Sequence, residues 1–349
     1  MDFRSDTVTQ PTDRMREAMA AAVVGDDVYG DDPTVNELQE YAAALTGMES
    51  SLYVCSGTMG NLVSVMSHCC RGEGVLLGVN SHMWRNEGGN MACVAGVMPF
   101  PLDDSSGLPS LESIKSSYMP SGNVHYANTT MLAMENTHNS AGGIPAEVGA
   151  FAEAADLAKD IGLLVHVDGA RIFDAAEYFG VDVKEYSRRV DSIQICLSKG
   201  LGAPMGSIVC GSRSFIDRAR KFRKLLGGGQ RQAGVAAAAG LIALKEMRGR
   251  LSDDHSNASL LASLLSGLEE HGIDVEPARR RTNMVYFKIR RGIDAISLID
   301  RCSERGLLIS LAGPGRIRMV THLGLDEGSV RCAVVIIGDI LKYCEVINQ

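Results

Sequence analysis

Three short stretches of this chain carry residue types that could do chemistry together. Leu163–Asp168 and the residues after it read HVDGAR, a nearly continuous apolar run ending on Asp168, then Gly169 and Arg171. Ligands of open parallel sheets bind beyond the carboxyl ends of the strands, where such a carboxylate would face them. The plainer alternative is an Asp that caps the next helix. Ser192–Leu197 is followed by Ser198, Lys199 and Gly200, at the start of the turn GLGAP. Buried lysines are rare unless the amine has a task, and their pKa falls readily. A turn with a solvated lysine is the alternative there. The third stretch, CSGTMGN (Cys55–Asn61), leads into the helical pattern LVSVMSHCC. Backbone N–H groups at a helix start bind anions, and Gly57 lets the chain come close to a phosphate. The stretch matches neither the Gly-x-x-x-x-Gly-Lys pattern of nucleoside triphosphate sites nor the Gly-x-Gly-x-x-Gly dinucleotide pattern.

Taken together, the three select a cofactor. A lysine to form a Schiff base, a carboxylate to keep a pyridine nitrogen protonated and amides to hold a phosphate are what pyridoxal phosphate requires. Asp168 and Lys199 lie 31 residues apart, room for one helix and one strand.

The elements that must position these residues alternate along the chain. Ser51–Cys55, Val75–Val79, Thr130–Met134, Leu163–Asp168, Ser192–Leu197 and Ser207–Cys210 read as strands. Met59–Arg71, Ala150–Ile161 and Phe215–Leu225 carry apolar residues at helical steps. The alternation predicts an α/β fold, a mostly parallel sheet covered by helices. After about Gly249 the texture changes to a long amphipathic stretch (Leu260, Leu261, Leu264, Leu265, Leu268) and a basic segment, Pro277–Arg281. Strand-like runs Met284–Ile289, Leu307–Leu311 and Arg316–Val320 and a helix from about Glu327 to Val346 complete a smaller α+β unit. We expect a large domain over residues 1–250, with residues 1–14 packed over it, and a small domain over 251–349.

Composition excludes several classes of function. Lys and Arg number 34 against 42 Asp and Glu, a formal net charge of −8 with no run of like charge, which argues against nucleic acid as a partner. The apolar stretch Val235–Leu244 is too short, and too rich in Ala and Gly, to span a bilayer, which takes about 20 residues. The nine cysteines form no Cys-x-x-Cys pair and read as free thiols of a reducing compartment. The eight histidines do not cluster with them at zinc-ligand spacing, so no metal site is expected. Met1–Thr12 is polar and carries Asp2 and Asp6, unlike a secretory or transit peptide, which predicts a cytoplasmic address.

FRSDTVTQPT, VGDDVYGDDPTVNELQ, SGTMGN, HVDGARIF, CLSKGLGAPMGS, GGGQRQAG and IRMVTHL, in that order, resemble the low-specificity L-threonine aldolases from about Asp2 to Leu323. The resemblance implies fold type I of the pyridoxal-phosphate enzymes and cleavage of L-threonine or L-allo-threonine to glycine and acetaldehyde, a carbon–carbon lyase reaction. It also implies a homo-oligomer, dimer or tetramer, with the site at a subunit boundary. Lys199 would carry the cofactor, Asp168 would pair with its ring nitrogen, and His82 would stack on the ring. Gly57 and Thr58 would hold the phosphate. Arg171 would lie near the cofactor's phenolic oxygen and the substrate carboxylate, which Arg318 and Ser5 would bind. Tyr29 would line the site, and Lys224 and Arg231 would reach a phosphate, across a subunit boundary if need be. His82 and His125 are both candidates for the base that takes the substrate's hydroxyl proton. His138 and His166 read as core histidines, with Glu135 and Asn136 flanking the cofactor. The segment around Glu87 departs from the family: Asn86 precedes it where an aromatic is usual, and Gly88–Gly89 is shifted. Substrate preference is therefore left open. β-Elimination or transamination on the same site, or a relative that binds the cofactor without turnover, are the rival readings.

Overall fold

The apolar run before Asp168 is buried on both faces, as a central parallel strand must be. The computed structural model describes residues 1–277 and 280–347, with side chains to residue 342. Among the described residues, seven strands make the main sheet: β1 (Ser50–Val54), β2 (Gly74–Gly78), β3 (Met98–Leu102), β4 (Thr129–Glu135), β5 (Leu164–Asp168), β6 (Ser192–Cys196) and β7 (Ser207–Gly211). Their order is β1-β7-β6-β5-β4-β2-β3. β3, β2, β4, β5 and β6 run parallel, while β7 is antiparallel to both neighbours.

This topology places Lys199. Because β6 and β7 are antiparallel, residues 197–206 form a tight connection in which Leu197 N donates to Gly206 O and Gly202 N to Lys199 O. Gly202 adopts φ +80 in it, a conformation that an L side chain rarely takes. The helix Gly57–His68 starts at Ser56, whose hydroxyl accepts from Met59 N. Its Leu62 and Val65 pack with Val75, Leu77, Met131 and Ala133 of β2 and β4. Val63 packs with Leu52, Val54 and Val209 of β1 and β7. β3 was not anticipated. Pro99 and Pro101 remove two donors, which a sheet tolerates only at an edge, and β3 is an edge strand.

A second unit comprises Met1–Gln10, Gly142–Ile144 and the chain from Gly249. Its sheet joins β8 (Ile273–Val275), β9 (Met284–Ile289), β10 (Ser310–Leu311) and β11 (Arg316–Val320), in the order β10-β11-β9-β8, all antiparallel. Helices Leu251–Ser266, Ala295–Glu304 and Glu327–Ile347 belong to it. Of the expected run Leu307–Leu311 only the last two residues form a strand. Residues 278–279 of the basic segment lie outside the described residues. Met1–Gln10 cluster with this unit, and the larger unit begins at Pro11. Phe3 is fully buried in its core with Leu261, Val285, Phe287 and Ile317. Phe3 N donates to Leu308 O at 2.7 Å, and its carbonyl accepts from Val320 N at 2.8 Å. An apolar side chain and two main-chain groups that the strand margins satisfy fix the segment there. Among the described residues no helix is long and apolar enough to cross a membrane, and the eight described cysteines are free.

Candidate active site

Glu135, Asp168 and Gln194 stand in register on β4, β5 and β6, with Glu135 and Asp168 the last residues of their strands. Parallel pairing thus lines up three polar side chains where the sheet opens. A cavity of about 160 Å³ begins there, lined by Gly57, Thr58, Asn61, His82, Glu87, Asp168, Gln194 and Lys199, among others. The structure therefore brings five of the anticipated residues together: Lys199, Asp168, His82, Gly57 and Thr58.

Asp168 is buried and held from several sides. Its Oδ2 accepts from Asn61 Nδ2 at 3.1 Å, and its Oδ1 from Ala170 N at 3.1 Å. With the Gln194 amide nitrogen facing it, Oδ1 accepts a further bond at 3.0 Å; the Gln194 oxygen then takes the N–H groups of Ile195 and Cys196. Three N–H groups thus donate to this one carboxylate. The second hydrogen of Asn61 goes to Glu87 Oε1 at 2.8 Å. The same oxygen lies 2.9 Å from His82 Nδ1, and His82 N donates to Glu135 Oε2 at 2.7 Å. The hydrogen bond to Glu87 is the main cause raising the His82 pKa above its ordinary value, and burial raises that of Glu87. Nδ1 is then the protonated ring nitrogen, leaving Nε2 of neutral His82 as a base.

These groups suit pyridoxal phosphate. Lys199 supplies an amine and Asp168 a carboxylate. The N–H groups of Gly57 and Thr58, at the start of a 12-residue helix, have no acceptor among the described residues. Gly57 has a reason of its own, however. A Cβ there would lie 2.7 Å from Cys196 Sγ and 3.2 Å from the end of the Gln194 side-chain amide, so protein packing already requires glycine. Gly169 is alike, since its Cβ would lie 2.8 Å from Gln194 O. His82, Glu87 and Asp168 also offer ligand-type atoms within 4.8 Å of one another; their oxygens accept the Asn61, Gln194 and Ala170 N–H groups.

Other anticipated residues lie elsewhere. His125 is exposed in the loop after residue 120, its N–H donating to Asn123 Oδ1, and does not line the cavity. Tyr29 is 77% exposed, with the Arg231 guanidinium 6.0 Å from its ring centre. Arg231 in turn pairs with Asp26 at 2.8 Å. Lys224 is exposed beside Gly229. These three form a surface of the larger unit apart from the cavity lining. Arg171 is buried at the start of the helix Ile172–Phe179, directly after Ala170 of the cavity wall. In the second unit, Arg318 Nη2 donates to the carbonyl of Arg4, next to Ser5, at 3.0 Å. Ser5 itself caps the short turn Asp6–Val8. His138 is a core histidine on Asp104, at 2.6 Å. Asn61, Glu87 and Gln194 had no role assigned from sequence. The signal available was polarity out of place, an Asn and a Gln at positions that the patterns around them make interior.

A match to the beta-eliminating lyase family spans residues 2–290. Over 335 residues the chain is 44% identical to low-specificity L-threonine aldolase 1 of Arabidopsis thaliana, covering 95% of this chain and 93% of that protein. Over 328 residues it is 44% identical to the low specificity L-threonine aldolase of Escherichia coli strain K12, covering 94% and 95%. The solved structure of a Leishmania major threonine aldolase aligns with a TM-score of 0.83 at 17% identity, covering 97% of this chain and 99% of that one. That last likeness concerns the fold.

Proposed function

The chain belongs to the low-specificity L-threonine aldolases of the beta-eliminating lyase family, and from that premise we propose that it cleaves L-threonine and L-allo-threonine to glycine and acetaldehyde. The observation that carries this reading is the joint placement of Lys199, Asp168 and the free amides of Gly57 and Thr58 around one cavity. Bound there, pyridoxal phosphate supplies the electron sink for the pair left when the Cα–Cβ bond breaks. Lys199 holds the cofactor, Asp168 keeps its ring nitrogen protonated, and the two amides take its phosphate. His82 covers the ring and, oriented by Glu87, accepts the β-hydroxyl proton at Nε2. Arg318 and Ser5 hold the substrate's α-carboxylate, for which a guanidinium is suited by its paired donors, and Arg171 lies close to the cofactor. Burial of Glu87 and exposure of His125 favour His82 over His125 as the base.

The same reading includes a homo-oligomer in the cytoplasm that breaks down threonine and supplies glycine. Leu225 and Tyr29, 72% and 77% exposed beside Lys224 and Arg231, support a surface that a second copy covers. Through it Lys224, Arg231 and Tyr29 would serve a neighbouring subunit's site.

Purified protein should release acetaldehyde and glycine in equal amounts from L-threonine and from L-allo-threonine, with neither pyruvate nor a keto acid. Lys199→Ala should abolish both the release and the absorbance of bound cofactor. Absence of product from either substrate would overturn the substrate assignment.

A further inference from the structure

A buried file of hydrogen bonds runs from the active-site carboxylates back through the sheet. Asn61 Oδ1 lies 3.1 Å from His166 Nε2, and His166 Nδ1 lies 2.8 Å from Ser192 Oγ. Ser192 Oγ in turn lies 2.7 Å from His68 Nε2. His68 stacks on Phe215 at 4.5 Å and lines a second cavity, of about 340 Å³, with Asp191, Ser212 and Arg218. Asn61, His166 and Ser192 are each at most 1% exposed, so water offers them no alternative partners.

We propose that His166 and Ser192 are positioning residues for Asp168: their hydrogen bonds hold the Asn61 amide with both N–H groups on the two active-site carboxylates. The direction of every bond follows from the ends. Asp168 and Glu87 only accept when ionised, so Asn61 Nδ2 must face them and Oδ1 must face His166. Oδ1 needs a donor, so His166 carries its proton on Nε2. Burial pushes His166 down to about 3 and His68 to about 4, so each ring is neutral and holds one proton. His166 Nδ1 must therefore accept, and the hydrogen it accepts is that of the Ser192 hydroxyl. Ser192 Oγ then accepts from His68 Nε2–H. All the bonds point toward Asp168, an arrangement in which each strengthens the next. The file does not conduct protons, because the donor and acceptor of an amide are different atoms. Its effect is to exclude the turned-over Asn61 rotamer, which would set a carbonyl oxygen against two carboxylates.

The proposal rests on the reading of this cavity as the pyridoxal-phosphate site, and one titration separates the two. Apoprotein is titrated with pyridoxal phosphate, followed by absorbance and fluorescence, and its thermal midpoint is measured without cofactor. Wild type that fails to bind would overturn the cofactor reading itself. His166→Gln places an amide nitrogen where Nε2 stood, whereas His166→Asn can reach only the Nδ1 position and His166→Phe neither. Asn and Phe should weaken cofactor binding by roughly tenfold or more, as expected when an Asn61 amide that bonds two carboxylates loses its own support, and shift the absorbance of bound cofactor. Gln should stay within roughly threefold of wild type. Ser192→Ala, a small change in the same file, should weaken binding even if the Phe variant fails to fold. Unchanged affinity in Asn, Phe and Ser192→Ala would overturn the proposal. So would losses as large in Gln as in Phe that follow only the fall in apoprotein thermal midpoint.

Discussion

His82 takes its character from Glu87, which no spacing rule would have paired with it. The two are five residues apart around a short helix, His82–Arg85, and meet at 2.9 Å with Glu87 buried behind the ring. The hydrogen bond is the leading cause of the raised His82 pKa, so Glu87→Gln should lower it. If neutral His82 accepts the hydroxyl proton, activity rises as pH climbs through its pKa. The acid limb of kcat/KM should therefore move to lower pH in the variant, with a smaller kcat because the ring is a weaker base. His125→Ala should leave that limb where it is. A limb that stays in Glu87→Gln and moves in His125→Ala would assign the base to His125. Lys199 and Asp168 were legible because one follows an apolar strand closely and the other ends one, and strand ends are where a sheet presents ligand groups. Asn61 was not, because its meaning comes from β5 and the loop at Glu87, 107 and 26 residues away.

Among the elements, the helix Gly57–His68 serves the site twice, since its first turn offers the free amides and its next presents Asn61. Its start and its type were readable from Ser-Gly-Thr and the apolar steps that follow. Its depth against β6 was not, and Gly57 records it. Gly57→Ala would drive a Cβ to 2.7 Å from Cys196 Sγ. Overpacking of that kind costs about 1–3 kcal/mol and would lift the amides that serve the phosphate. The variant should lose stability by that amount in urea and bind pyridoxal phosphate more weakly. Adding Cys196→Ala should recover part of both, since it removes the atom in the way; no recovery would mean that the phosphate rather than the packing demands glycine. The same limit applied to β3, whose prolines hide a strand when read along the chain but are compatible with the sheet edge. It applied also to Phe3, whose partners Leu308 and Val320 are about 300 residues away. Local periodicity reveals an element, whereas its neighbours depend on pairing that only the folded chain shows.

For the molecule as a whole, the buried histidines set how stability responds to acid. His166 and His68 titrate near 3 and 4 when folded, against an ordinary 6.5. Between about pH 6.5 and 4 the unfolded chain therefore binds up to two protons that the folded chain refuses. Their contribution to stability is full above pH 6.5 and is lost as pH falls, at about 1.4 kcal/mol per pH unit for each ring. His82 and His138 are raised, so their contribution is full below 6.5 and is lost only as pH rises through their folded values. In the acid window they are protonated in both states and add no slope. Glu87, raised by burial, opposes the slope by at most one proton as it takes up its own. Urea unfolding of the apoprotein at pH 6 and pH 5, followed by Trp84, the chain's only tryptophan, should show stability falling with acid. His166→Gln removes one refusing group and should flatten that fall by about 1.4 kcal/mol per pH unit. If the slope were unchanged, His166 would already be protonated in the folded protein. Asn61 could then face it only through the same oxygen, but Ser192 would have to accept rather than donate, and the file of bonds would lose its single direction toward Asp168.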